Sequence, residues 1–175
     1  MTTDTALKQT KSPKAKAIAA RLSAVQAVYQ MHMNEQKAQS AIEEYLSLRA
    51  GMDVDGETFI EPNGALFQNI VEGVGEKHGD LQQTIISLLG TKEGRKKPVE
   101  PLLNAILLCG AYELLFNDKT DNPIIINDYI EISKGFYEEE LFSQNFKKFV
   151  SKNSRFGVRL LNTISKFDVG QSVVV

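Results

Sequence analysis

The chain is 175 residues long and 42% apolar, enough for one well-filled core, and 20 basic against 22 acidic residues leave a net charge of −2. A single cysteine, Cys109, rules out an intramolecular disulfide and fits a small core side chain in a reducing compartment. The opening MTTDTALKQTKSPK has no apolar run of the secretory kind, and no segment is long and apolar enough to span a bilayer, so neither secretion nor insertion is expected.

Ser12 followed by Pro13 is a helix start, because the serine hydroxyl can accept from an early backbone N–H and proline fits the first helical position. Ile18, Leu22, Val25, Tyr29 and Met33 then form an apolar stripe. Lys16, Ala20, Ser23, Ala27 and Gln30 lie opposite, small or polar groups that another chain could approach closely. A second helix is expected over Gln36 to Arg49, ending near Gly51, and MDVDGETFIEPN reads as a long connection. Leu66, Phe67, Ile70, Val71 and Val74 start a third helix, stopped around Gly79, and Leu81, Ile85, Leu88 and Leu89 mark a fourth.

After the polar loop from Gly90 to Lys97 comes LLNAILLCGAYELLF, Leu102 to Phe116, where only Asn104, Tyr112 and Glu113 offer polar atoms. A helix apolar on every side must be surrounded by other helices or by lipid, and this one is too short to span a bilayer comfortably, so it reads as the central rod of a helical domain. The turn-rich NDKTDNP follows, then a helix with its stripe at Ile125, Tyr129, Ile132 and Phe136. Leu141, Phe142, Phe146, Phe149 and Val150 suggest a further helix, and Val158, Leu160, Leu161, Ile164 and Phe167 the last. No strand alternation competes, so the fold class is all-α.

The sign of charge is unevenly distributed. Lys8, Lys11, Lys14, Lys16 and Arg21 face only Asp4, and Lys147, Lys148, Lys152, Arg155, Arg159 and Lys166 run from Gln144 to Lys166 without an acid. If the two ends meet, they form one positive patch on an acidic body, suited to nucleic acid; otherwise they are solvated basic tails.

Enzymatic readings find little support. His32 and His78 are far apart in sequence, and neither has an acid or cysteine at ligand spacing, so no metal site is expected. Asp53, Asp55 and Glu57 begin like a calcium loop, but Thr58 and Gly64 stand where its glycine and glutamate belong. GTKEGRKK lacks the residue order of a phosphate-binding loop, and no nucleophile stands out, so no cofactor is expected.

Four blocks in order resemble a known family. AVQAVYQ, Ala24 to Gln30, resembles the first-helix signature of the bacterial transcription antitermination factor NusB, and LFQNIVEGV, Leu66 to Val74, is similar to its third-helix pattern. NAILLCGAYELLF resembles the RAILRLGAYELL-type central helix. INDYIEISKGF is similar to INEAIELAKxFG at Ile126, Asn127, Glu131, Lys134 and Phe136. The blocks span roughly residues 14 to 167.

The resemblance implies two packed three-helix bundles and no catalysis, in a cytoplasmic protein. Residues 1–12 are then a disordered N-terminal tail and 13–168 a single domain with sub-bundles roughly at 13–90 and 98–168. Residues 169–175 form a C-terminal tail. It implies pairing with the ribosomal protein that doubles as NusE, binding of a single-stranded boxA RNA in ribosomal operon leaders, and indirect association with RNA polymerase and other Nus factors. RNA-binding candidates are Lys14, Lys16, Arg21, Lys147, Lys148, Arg155 and Phe156. The cations would neutralise phosphates, whereas Phe156 would either stack on a base or cap the bundle. NusE-binding candidates are Tyr29, Glu100 and Glu113, although Tyr29, like Tyr112, lies on or beside an apolar stripe and reads first as core.

The chain departs from the family at Leu103, where an acid is common, and at Leu108, where the pattern has arginine. Its first-helix arginine cluster is reduced to Lys14, Lys16 and Arg21, and the C-terminal FVNGVLD motif could start at Phe156 or at Phe149. Two other readings are a helical protein-interaction module and a stand-alone RNA-binding domain similar to the N-terminal part of RNA cytosine methyltransferases.

Overall fold

A computed structural model describes residues 12–48, 60–89 and 99–136. All regular structure among them is α-helical: α1 Pro13–Asn34, α2 Ala38–Leu48, α3 Gly64–Leu89, α4 Pro101–Phe116 and α5 Asn122–Lys134. The chain divides into two compact units, Met1–His78 and Gly79–Val175. The two helices expected from Leu141 onward, and the loop from Gly90 to Lys97, lie outside the described residues.

In the first unit α1 starts as its sequence demands, with the Ser12 hydroxyl accepting from the Ala15 N–H at 3.1 Å and Pro13 at the first helical position. Its buried face differs from the expected stripe. Ala20, Ala24, Val25, Ala27 and Val28 are buried, whereas Tyr29 is 36% and Met33 54% exposed. Three alanines allow close helix approach, and Ser23 on the same face shares a 2.6 Å hydrogen bond with the Tyr45 hydroxyl of α2. Larger side chains in their place would hold the helices apart. Tyr45 in turn lies against Phe67 of α3, ring centres 4.4 Å apart, above Ile42, Ile70, Val71 and Val74.

Helix α1 ends at Glu35, whose φ of 51° is left-handed; its N–H returns to the Met31 carbonyl. This cap throws the chain into a short turn, so α2 begins at Ala38 rather than Gln36. Gly75 of α3 accepts the close approach of that start, since a Cβ there would come within 2.9 Å of the Ala38 Cβ. The break expected around Gly79 between a third and a fourth helix is present as a kink two residues earlier, where two helical segments join within α3. The irregularity falls at Lys77 (φ −105°, ψ 15°), and the helix resumes through Leu89.

The second unit is built on α4, the expected central rod, buried from Leu103 to Leu114. Both Glu100 carboxylate oxygens cap its start, accepting from the N–H groups of Leu102 (3.1 Å) and Leu103 (3.0 Å). Asn104 exchanges two hydrogen bonds with Gln82 of α3, at 2.9 and 3.1 Å. Helix α5 packs on α4 through Ile125, Ile126, Tyr129 and Ile132, while Phe136, expected on that stripe, lies past the helix end and is exposed.

Candidate functional site

The first turn of α1 carries the described part of the basic N-terminal segment. Lys14 is exposed. The Lys16 ammonium lies 3.6 Å from the Glu61 carboxylate, and the Lys16 carbonyl accepts from the Asn63 N–H at 3.0 Å, so the strand of chain leading into α3 runs beside this turn. Glu61 is largely solvated and Lys16 partly so, and such a pair contributes at most about 1 kcal/mol, so an arriving phosphate can compete for the lysine.

Arg21 does not share this surface. It is 2% exposed and interacts within the protein. A guanidinium so placed is costly unless paired, and this one is engaged inside the fold. Of the three first-helix RNA-binding candidates, Arg21 is thus the buried one. The cause is the rotated burial of α1, which takes Arg21 inward with Ala20 and Ala24.

The partner candidates separate in the same way. Tyr29 reaches the surface of the first unit, against its expected core placement, and Glu100 is exposed at the start of α4 in the second. Glu113 is wholly buried, which corrects its expected surface role. Its Oε2 accepts from the Tyr129 hydroxyl at 2.8 Å and its Oε1 from the Asn117 amide at 2.9 Å, tying α4 to α5 and to the turn between them. Burial, followed by the nearby Glu113 carboxylate, pushes the Cys109 thiol well above its ordinary value of 9.0. Lys147, Lys148, Arg155 and Phe156 lie outside the described residues.

One grouping escaped the sequence reading. The rings of His32 and His78 lie 5.3 Å apart at the edge of a groove of about 740 Å³ formed by α1, the α1–α2 turn and α3. Burial and the neighbouring His32 hold the His78 imidazole below its ordinary 6.5. The two positions are 46 residues apart, a spacing that carries no local periodic signal.

A family model described as the NusB family matches residues 18–150. The chain belongs to the NusB family. Among NusB proteins, the transcription antitermination protein NusB of Maricaulis maris is 35% identical over 120 residues, covering 69% of this chain and 74% of its own length. That of Sinorhizobium fredii is 34% identical over 122 residues, covering 70% and 76%, and that of Caulobacter vibrioides is 33% identical over 119 residues, covering 68% and 79%. The NusB family is non-enzymatic, and among the described residues no helix is long and apolar enough to cross a membrane.

Proposed function

We propose that this NusB-family chain acts in the cytoplasm as an antitermination factor that pairs with ribosomal protein NusE and binds boxA-type single-stranded RNA in ribosomal RNA operon leaders. The pair would join RNA polymerase with other Nus factors. The observation that carries the reading is the family match over residues 18–150. The exposed Lys14 and the partly exposed Lys16 at the start of α1 support it, since cations fixed on a helix can track a phosphate backbone. In this reading Lys147, Lys148 and Arg155 supply the second basic segment and Phe156 the stacking ring. Tyr29 and Glu100 meet NusE, while Arg21 and Glu113 act from inside the fold.

The burial of Arg21 also supports a second reading, a helical protein-interaction module, because it leaves the first helix with two lysines to offer phosphate. Binding to boxA-type RNA and a scrambled control, with and without NusE and across a salt series, separates the two. Antitermination requires tighter, sequence-dependent binding when NusE is present. Weak binding indifferent to sequence and to NusE selects the interaction module.

A further inference from the structure

The groove beside His32 and His78 has features that its packing role does not require. Glu35, Glu72 and Glu76 line it against one ammonium, that of Lys37, so with neutral imidazoles the groove is net negative. Gly75 keeps it close to α2, and the left-handed Glu35 cap turns the chain along its rim. The Nε2 of His78 is closed off from solvent and has no hydrogen-bond partner among the described residues. Buried polar atoms are normally satisfied, so an unpaired imidazole nitrogen beside a second imidazole marks a position for a ligand.

We propose that His32 and His78 form a two-imidazole site for a divalent transition-metal ion of the zinc, nickel or copper class. A metal held about 2.0–2.1 Å from one nitrogen of each ring lies roughly 3.2 Å from each ring centre, so ring centres 5.3 Å apart are within reach of one shared ion. Imidazole favours these ions, whereas magnesium and calcium demand oxygen donors. Among the described residues no group of three or more His, Cys, Asp and Glu side chains could hold a metal, so the two imidazoles are the protein donors of this site. The carboxylates act at longer range, raising the local concentration of cations. His78 on α3 is half-buried and His32 on α1 is exposed, so the two rings differ in their access to solvent.

The test is a Zn²⁺ titration of the untagged, ¹⁵N-labelled full chain, followed through its imidazole nitrogen resonances, with Mg²⁺ as control. The chain has only two histidines, so both can be followed separately. Both imidazoles are expected to respond together at one Zn²⁺ concentration and neither to Mg²⁺. His32→Gln and His78→Gln are each expected to weaken binding at least tenfold. His32 is exposed, so its variant keeps the fold and decides the matter if His78→Gln does not fold. Failure of the imidazoles to respond, or an unchanged affinity in His32→Gln, overturns the proposal and leaves the pair as a packing contact.

Discussion

Replacing Tyr129 by phenylalanine should weaken the second unit more than the loss of one oxygen suggests. The Tyr129 hydroxyl donates to a Glu113 carboxylate that is 0% exposed, and Phe keeps the ring while removing that donor. A hydrogen bond to a charged group contributes about 1.5–3 kcal/mol, and here the buried carboxylate cannot turn to water in exchange. Asn117 still serves Oε1, so the expected loss is about 2 kcal/mol rather than the cost of a fully stranded charge. Urea unfolding followed by circular dichroism should show a lower midpoint with an unchanged slope. Glu113→Gln should overlap with it, the double variant costing about 1–2 kcal/mol less than the sum of the singles. After correction for the folded fraction, Glu113→Gln should leave NusE affinity untouched. A Tyr129→Phe loss below about 0.5 kcal/mol would refute the buried tie.

Gly75→Ala should cost about 1–3 kcal/mol, read as a lowered melting temperature, because the new methyl meets the Ala38 Cβ at 2.9 Å. Ser12→Ala should cost about 1 kcal/mol by removing the cap on Ala15, measured by denaturant unfolding. Lys14→Gln should flatten the slope of log affinity against log salt for single-stranded RNA by about 0.7 without altering melting. Arg21→Gln should instead lower the melting temperature, since it removes a buried, engaged guanidinium. Above pH 9.0 the unfolded chain loses the Cys109 proton while the folded chain retains it, so stability should fall as pH rises from there, and Cys109→Ala should remove that part of the alkaline loss.

The elements legible in the sequence were those with strong one-dimensional signals. Helix α4 had no wet face, and Ser12-Pro13 announced the start of α1. The facing of α1 was not legible, because hydropathy ranks Ile18, Leu22 and Met33 above alanine, whereas close packing chose Ala20, Ala24 and Ala27. The helix break read around Gly79 was legible to within two residues, since the non-helical backbone falls at Lys77 and a second helical segment, anchored by Leu81 and Ile85, follows it. Glu113 looked like a surface acid since nothing local reveals that Tyr129 and Asn117 reach it from the next helix and turn. Charge alone could not distinguish the exposed Lys14 from the buried Arg21. Contact between His32 and His78 depends on α1 and α3 lying side by side, a long-range fact that no spacing rule contains.

The one thiol of the chain sits on α4, sealed among side chains and kept protonated at neutral pH. A thiol-specific reagent can therefore reach Cys109 only when α4 is uncovered, and each 1.4 kcal/mol needed for that opening slows labelling about tenfold when reclosing is fast. The rate of alkylation in native buffer becomes a clock for the opening of the second unit alone. It would report whether a bound partner tightens that unit without any label being introduced.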